Sequence, residues 1–495
     1  MPPRKKKDAA TRDGWRAEEL RRAGYRVVDL ITEHLTGIAD RPVFQPVPGP
    51  LAEQLLEQPL PSEPQSIDQI LDEFARDVAP YPFGNGHPRF YGWVNSPPTP
   101  AGIFGDALAA TMNPSVAGGN HAAVYIERQV TSWLKQLIGF PASGMGLLVS
   151  GGSAAALTAL AVARHAALTK RGWNVRMQGL QNLPGELVVY RGAESHACNQ
   201  KAVELLGLGS SSLRTLATDD ALRVSPADLE QQLNSDTARG AIPVAVVISA
   251  GTVNTGAIDP LDQIADICKA HGVWLHVDGA YGAPAILSTR YARDLAALAR
   301  ADSIAIDPHK WLYVPVEAGA VLVRDAQLMR DAFSLVPAYL RVDENEQGVQ
   351  GPPWLSEFGI QQTRGFRALK LWMALKYHGS EGYRKLIDHD IELAAHLVDC
   401  VERSPDLEYF EPQSLSIVCF RYAPAALREH PQQLNELNRA ILTDVQLSGQ
   451  AFLSGTVLKS DFWLRACIVN PLARSEDIEL LVKLVEHYGK QRAET

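Results

Sequence analysis

From about residue 145 the chain alternates short apolar runs with longer helical patterns, and this alternation restricts its fold more than any other feature. The runs are aliphatic or β-branched almost throughout: GLLVS (146–150), ELVVY (186–190), PVAVVIS (243–249), VWLHV (273–277), SIAI (303–306) and AVLV (320–323). Strands without polar alternation are buried on both faces, as in a parallel sheet covered by helices. We therefore expect an α/β fold with a mostly parallel sheet, and ligands beyond the carboxyl ends of its strands.

The length of 495 residues predicts more than one domain. We expect an N-terminal helical and extended arm (1–100), a large α/β domain (101–380) and a smaller α+β domain (381–495). Within the arm, residues 14–40 show helical periodicity, and a Pro-rich stretch (41–64) follows. The repeated prolines of that stretch suit a free linker, whereas its apolar residues suit an arm that lies on a neighbouring surface.

Composition excludes several classes of protein. A net charge of −9 argues against a nucleic-acid partner, and the chain has neither an apolar stretch of membrane-spanning length nor a signal peptide. The five cysteines are scattered without a CxxC pair, which favours reduced thiols over disulfides or a metal site. We expect a cytoplasmic protein that binds no metal and no membrane.

Polar residues follow the predicted strands where a parallel sheet collects its ligands. Gly152 and Ser153 come between the first strand and a helix, where backbone N–H groups and a hydroxyl suit a phosphate, although most such turns bind nothing. His196 follows the next strand and is either a helix cap or a flat ring for stacking. Thr252 and Asn254 lie in a glycine-bounded loop rich in hydroxyl groups.

Two ionisable residues complete the set. Asp278 directly follows a buried strand, and Lys310 follows another in an apolar neighbourhood that should lower its pKa. A buried ion pair would explain the two residues on their own. Together with the phosphate cup and the flat ring, however, they match the needs of pyridoxal 5′-phosphate (PLP), which requires a phosphate anchor, a ring partner, an anion at its pyridine nitrogen and an amine for its aldehyde.

Two motifs make the chain resemble the group II PLP-dependent decarboxylases, which act on aromatic amino acids, histidine or glutamate and have fold type I. The motifs are HVDGAYGA (276–283) and DPHKW (307–311), supported by GFRALKLW (365–372) and LRACIVNP (464–471). The resemblance runs from about residue 14 to about 488. It implies decarboxylation of an L-amino acid to its amine by an intertwined homodimer, with the active site at the subunit interface.

The resemblance also implies roles for individual residues. Lys310 is expected to carry PLP as a Schiff base, Asp278 to face the pyridine nitrogen, and Ala280 and His196 to lie on opposite faces of the ring. His309 and Asp307 are expected to close the phosphate cup formed by Gly152 and Ser153, beside Thr252 and Asn254. The substrate pocket is expected to include Phe90, Trp93 and Asn95. Its two aromatic residues favour an aromatic amino acid; alternatively, Trp93 fills the pocket and favours a smaller side chain.

One departure from the family pattern leaves the product open. Family decarboxylases carry a tyrosine on a loop before the RALKLW helix, whereas the matching place here holds Trp354 or Leu355, and the nearest tyrosine is Tyr339. Without a proton donor at that place, oxidative decarboxylation–deamination to an aldehyde becomes an alternative. Another C–C lyase or aldolase reaction on the same scaffold and a non-catalytic PLP-binding homologue also remain open.

Overall fold

The protein is built on two β-sheets, in a computed structural model that describes residues 14–335 and 354–494. The strands in these ranges are β1 (Phe90–Tyr91), β2 (Met145–Val149), β3 (Leu187–Gly192), β4 (Leu213–Leu216), β5 (Ile242–Ser249), β6 (Trp274–Asp278), β7 (Ser303–Ile306), β8 (Gly319–Val323), β9 (Leu407–Tyr409), β10 (Ile417–Tyr422), β11 (Phe452–Leu458) and β12 (Asp461–Cys467).

Helices surround both sheets, and the longest, α13, bends at Gly379, whose φ is 63°. The helices are α1 (Ala17–Gly37), α2 (Gly49–Glu57), α3 (Ile67–Glu73), α4 (Pro100–Met112), α5 (Ala122–Leu137), α6 (Gly152–Thr169), α7 (Val175–Gln178), α8 (Ala197–Leu205), α9 (Pro226–Ala238), α10 (Leu261–His271), α11 (Ala292–Leu295), α12 (Ala326–Phe333), α13 (Ala368–Glu402), α14 (Pro431–Leu447) and α15 (Ser475–Ala493). Among the described residues, no helix is both long enough and apolar enough to cross a lipid bilayer.

The larger sheet has the strand order β2-β8-β7-β6-β5-β3-β4. Strands β4, β3, β5, β6 and β7 pair in parallel, and β8 runs antiparallel to both of its neighbours. Helix α6 packs against this sheet and is buried along most of its length. The expected α/β fold with a mostly parallel sheet covered by helices is confirmed, because continuous apolar strands require cover on both faces.

The smaller sheet has the order β1-β11-β12-β10-β9 and is antiparallel except for its first pair. In that pair, Phe90 of β1 lies opposite Phe452 of β11. A strand from the first hundred residues therefore belongs to the same sheet as strands near the carboxyl terminus. The domain boundaries at residues 100 and 380 stay predictions.

The structure adds elements that sequence periodicity misses. The Pro-rich stretch 41–64 contains helix α2, which Pro50 permits because it lies in the first turn, where its missing N–H costs nothing. Strand β4 is a partly exposed strand at the sheet edge, so it lacks an apolar run. Strand β11 contains serine, glycine and threonine, which resemble a turn in the sequence.

A buried ion pair joins three segments around the larger sheet. Arg364 and Glu127 have side chains that are each 1% exposed. Glu127 on α5 also accepts a hydrogen bond from the backbone N–H of Leu148 in β2, at 3.0 Å. Arg364 additionally donates to the carbonyl of Val116. The pair therefore fixes α5, β2 and the segment before α13 to one another.

We expect Glu127→Ala to lower the free energy of unfolding by about 3–5 kcal/mol, because it leaves the Arg364 guanidinium buried without its carboxylate. Denaturant unfolding of the apoprotein measures this loss. Glu381→Ala is the matched control, because it removes an exposed partner of Arg384 and should cost less than about 1 kcal/mol. Equal losses in the two variants would contradict the assigned importance of the buried pair.

Candidate active site

The polar residues predicted from the sequence lie at one edge of the larger sheet. Gly152 and Ser153 follow β2, Lys310 follows β7, and Asp278 ends β6. The hydroxyl-rich loop follows β5, and His196 lies between β3 and α8. Strands β7, β6, β5 and β3 are consecutive neighbours in the sheet. Parallel strands present their carboxyl ends at a common edge, so the topology brings these side chains together.

Lys310 forms an ion pair inside this site. Its Nζ lies 3.0 Å from Oδ2 of Asp307, and its backbone N–H donates to the carbonyl of the same residue at 2.9 Å. Burial lowers the pKa of Lys310, but the negative charges of Asp307 and Asp278 outweigh burial and raise it above its ordinary value. The sequence-based expectation of a lowered pKa is wrong, because it considered the apolar neighbours and omitted the two carboxylates.

The turn after β2 forms a narrow cradle. A Cβ at Gly152 would lie 3.0 Å from Oδ2 of Asp307 and 3.4 Å from Cβ of Ala280, and one at Gly151 would lie 3.3 Å from Cε1 of His309. Helix α6 begins at Gly152, so its amino-terminal end lies in this cradle. Its unpaired N–H groups favour an anion at this place.

His309 borders the same cradle. Its Nδ1 accepts a hydrogen bond from the backbone N–H of Ala318 at 2.9 Å, which leaves the proton on Nε2. The Nε2 atom lies 3.7 Å from Oδ2 of Asp307. Burial lowers the pKa of His309, with Asp307 acting in the opposite direction, so the ring is neutral near pH 7 and offers one N–H donor.

Asp278 is held by a neighbouring backbone group and by one side chain. Oδ1 accepts from the N–H of Ala280 at 3.2 Å, and Oδ2 lies 3.5 Å from Nδ2 of Asn199. Burial raises the pKa of the adjacent Cys198 thiol to about 12, with Asp278 adding to the shift and Lys310 opposing it. Asp278, Lys310 and Cys198 therefore lie within electrostatic reach of one another.

His196 caps helix α8: its Nδ1 accepts from the N–H of Cys198 at 3.1 Å. The imidazole is otherwise exposed, so one side chain provides both the helix cap and a free ring face.

The loop residues Thr252 and Asn254 form hydrogen bonds within the protein. The Thr252 hydroxyl lies 3.1 Å from that of Thr255, and the Asn254 amide bonds Glu194 and Thr456. Their contact with the cofactor stays a prediction.

The predicted pocket segment lies in an aromatic cluster formed by Phe44, Phe83, Phe90, Trp93 and Phe452. Phe90 is buried and stacks on Phe452 with ring centroids 5.1 Å apart. Trp93 is 45% exposed and lies 5.1 Å from the ring of Phe83. Its φ of 49° is in the left-handed region, which is strained for a bulky residue and typical of functional segments. Asn95 is half-buried beside it.

Sequence reasoning missed two residues that border the site. The Ser96 hydroxyl donates to the carbonyl of His309 at 3.3 Å, directly before Lys310. Arg465 on β12 is 3% exposed and donates to the carbonyls of Trp93 and Val253, at 2.9 Å each, while its Nη2 is buried without a hydrogen-bond partner in the described residues. The LRACIVNP motif contained Arg465, but only the fold shows where its guanidinium points.

Two arginines near the start of α13 are already paired with carboxylates of the chain. Arg364 is paired with Glu127, and Arg367 is paired with Glu317 at 2.7 Å.

Trp354 and Leu355 stand at the place where family decarboxylases carry a tyrosine. Leu355 is buried, and Trp354 packs on the backbone of Gly118, where a Cβ would lie 2.4 Å from the indole. Neither residue offers an acidic proton. Tyr339 lies outside the described residues.

The group of residues at this edge fits PLP. A buried amine, a carboxylate at the end of the neighbouring strand and a glycine cradle at a helix amino terminus lie together. Oδ1 of Asp307 is buried without a hydrogen-bond partner among the described residues, as expected of a group that awaits a ligand. Fold and site together define a PLP-dependent enzyme of fold type I.

Comparison with known proteins identifies the family. Residues 48–423 match the pyridoxal-dependent decarboxylase conserved domain. The chain is 36% identical to an aromatic-L-amino-acid decarboxylase of Bacillus atrophaeus, over 94% of this chain and 95% of that protein. It is 30% identical to a phenylacetaldehyde synthase of Petunia hybrida, over 95% and 94% of the two chains. The crystal structure of Oryza sativa TDC with PLP and tryptamine matches with a TM-score of 0.88 and 25% identity, covering 96% of this chain and 98% of that one.

The chain belongs to the pyridoxal-dependent decarboxylase family and is a PLP-dependent decarboxylase. The resemblance first noted from HVDGAYGA and DPHKW is thereby confirmed.

Proposed function

We propose that the enzyme converts aromatic L-amino acids into their amines, with PLP linked to Lys310. The observation that carries this proposal is the convergence of Lys310, Asp307 and Asp278 beside the glycine cradle at the carboxyl edge of the sheet. When bound, PLP withdraws electrons from the α-carbon and so allows the bond to the carboxylate to break.

The residues of the chain provide binding and orientation. The amino terminus of α6, with Gly152 and Ser153, would hold the phosphate, and the Nε2–H of neutral His309 would donate to it. Asp278 would keep a proton on the pyridine nitrogen, and the small side chain of Ala280 leaves room for the ring. His196 would cover the opposite face, because its exposed imidazole is held at one edge by the cap.

Lys310 and Asp307 would control one proton. Since the pKa of Lys310 is raised, its amine holds a proton at neutral pH, and that proton must leave before the nitrogen can bond to carbon. Asp307, 3.0 Å away, is the nearest acceptor. Asp307 would thus hold the lysine in place and take up its proton whenever the lysine nitrogen has to form a bond.

Arg465 would neutralise the carboxylate of the incoming substrate. Its Nη2 is a buried donor without a partner, which a carboxylate oxygen would satisfy. Cys467 lies two residues further on β12. Burial raises its pKa to about 11 even though the charges of Arg465 and Lys310 oppose the rise. Arg465 and Lys310 therefore both lie within electrostatic reach of this thiol.

The aromatic cluster supports an aromatic substrate. Trp93 and Phe83 are both half-exposed, and Trp93 is joined to Arg465 through its own carbonyl. An apolar wall beside a cation suits a flat side chain attached to a carboxylate. The names of the Bacillus relative and of the rice complex with tryptamine point the same way.

We also propose a cytoplasmic homodimer with its active site at the subunit interface. Helices α1 and α4 each expose several large apolar side chains: Leu20, Tyr25 and Val28 on α1, and Phe104, Leu108 and Met112 on α4. Helix α4 begins five residues after Asn95, so a partner that covers it would lie beside the pocket segment. Five buried free thiols suit a reducing compartment.

The product distinguishes the proposal from its alternatives. We expect the PLP-loaded enzyme to release amine and CO2 in equal amounts from L-tyrosine, L-tryptophan or L-phenylalanine, with or without oxygen. Turnover of L-glutamate should be at least about 100-fold less efficient, because the pocket offers apolar surface where that substrate has a charge. Chromatography of amine and aldehyde, with CO2 and peroxide assays, measures both quantities.

Aldehyde and peroxide that disappear without oxygen would replace this proposal with oxidative decarboxylation–deamination, the direction suggested by Trp354 and Leu355 and by the name of the Petunia relative. Absence of turnover with every amino acid, despite a normal cofactor band, would favour a non-catalytic homologue.

A further inference from the structure

A buried carboxylate outside the cofactor site holds the turn that carries Lys310. Asp390 lies on α13 and is 0% exposed. Its Oδ2 accepts from the indole Nε1–H of Trp311 at 2.8 Å and from the hydroxyl of Tyr313 at 2.6 Å, and its Oδ1 accepts from the N–H of Asn470 at 3.2 Å. All three donors are neutral, so a charged partner does not explain why this carboxylate is buried here.

The turn after Lys310 is strained and needs an anchor. Tyr313 has a φ of 51°, in the region that non-glycine residues rarely adopt. Its backbone N–H donates to the carbonyl of Lys310 at 3.3 Å, and its own carbonyl accepts from Thr99 at 2.7 Å. The Tyr313 ring is buried parallel to that of Tyr383. The hydrogen bond to Asp390 therefore fixes a residue whose backbone conformation shapes the lysine turn.

Trp311 extends the contact to the other half of the site. Its ring stacks on Tyr281, with centroids 4.9 Å apart and planes at 15°. Tyr281 directly follows Ala280 and lies three residues after Asp278, and its hydroxyl lies 2.7 Å from that of Ser416. A change at Asp390 would thus affect both the turn that carries Lys310 and the loop that follows Asp278.

We propose that Asp390 is a positioning residue for decarboxylation, holding Lys310 and the Asp278 loop in register through Trp311 and Tyr313. This inference rests on the proposed role of Lys310. Burial raises the pKa of Asp390 to about 7, while its three donors favour the ionised form. Asp390 contacts Trp311 and Tyr313, which follow the lysine, and Asn470, which follows β12. The carboxylate therefore acts without touching cofactor or substrate.

Asp390→Leu and Asp390→Asn test the proposal as a pair. The leucine variant leaves three buried donors without an acceptor, whereas the asparagine oxygen can still accept from both Trp311 and Tyr313. We expect Asp390→Leu to lower kcat per bound PLP by about 100-fold, the scale of a small displacement at a reacting centre, with KM within about threefold of wild type. Asp390→Asn should recover most of kcat, and the visible cofactor band should move in the leucine variant alone.

Asp236→Leu is the matched control, because it makes the same replacement at another buried carboxylate. Asp236 accepts from a tyrosine hydroxyl, that of Tyr190 at 2.8 Å, and is paired with Arg239, but it bonds neither Trp311 nor Tyr313. It should lower the melting temperature and leave both kcat and the band unchanged. If Asp390→Leu behaves in the same way, Asp390 is structural and the proposal is overturned.

Trp311→Phe is the second variant, for the case in which Asp390→Leu does not fold. It keeps an aromatic ring beside Tyr281 but removes the Nε1–H, so a fall in kcat with a displaced band is again expected. An unchanged kcat and band in this variant would also overturn the proposal. Replacement of Lys310 tests the proposed function separately. A cofactor band that survives this replacement would remove the basis for the proposed function and for the role of Asp390.

Discussion

Replacing Lys310 by alanine is expected to abolish turnover and the visible absorbance of covalently bound cofactor. In the proposed function, the amine at this position bonds to the cofactor aldehyde, and the carboxylates of Asp307 and Asp278 act on it electrostatically. We expect a loss of at least about 10³-fold in kcat, because removal of a covalent nucleophile removes a whole reaction path rather than one contact. Amine formation and the absorbance spectrum measure the two effects.

Lys310→Arg is the control for folding. Arginine keeps a positive charge beside Asp307, which would otherwise be left buried and unpaired, but it does not form the covalent linkage. Both variants should therefore lack activity, while the arginine variant keeps a melting temperature near that of the wild-type apoprotein. Borohydride reduction of the wild-type holoenzyme, followed by peptide mass spectrometry, should find the cofactor on Lys310. Undiminished activity in either variant, or labelling of another lysine, would exclude the assigned role.

The extent to which the sequence predicts this site depends on how local each interaction is. Runs such as PVAVVIS predict buried parallel strands because apolar continuity is a local property. Because parallel strands present their carboxyl ends at one edge, the sequence also predicts that Asp278, Lys310 and the glycine turn lie together. Asp278 and Lys310 also lie in the two motifs that are most specific for the family.

Side-chain partners that are distant in sequence could not be predicted in this way. The raised pKa of Lys310 depends in part on Asp278, and the position of Asp278 depends on strand pairing. Arg465 lies more than 370 residues from Trp93, yet their contact borders the site. Asp390 reaches Trp311 across 79 residues through the packing of α13. Local patterns contain no information about such contacts.

The exchange of Asp278 for asparagine separates the charge of this residue from its shape. The asparagine oxygen can still accept from the N–H of Ala280, so the loop geometry should persist. The negative charge that we propose keeps the pyridine nitrogen protonated is lost, and most of the electron withdrawal at the α-carbon should be lost with it. We expect kcat to fall by roughly 10²–10³-fold, the usual scale for removing one preorganised electrostatic contact. Much of the PLP should remain bound, as absorbance and phosphate analysis can show.

Asp278→Asn should also make the Lys310 amine react with PLP more readily near pH 7, although it slows decarboxylation. Asp278 raises the pKa of Lys310, so its neutralisation lowers that pKa and increases the neutral amine fraction near pH 7. Only the neutral amine attacks an aldehyde, and the pH of half-maximal PLP capture by apoprotein should therefore move down. Asp278→Glu, which keeps the charge, should leave this pH nearly unchanged. A variant that captures PLP at lower pH yet decarboxylates slowly would show that Asp278 serves the chemistry of the bound cofactor, whereas full activity without the carboxylate would remove it from the mechanism.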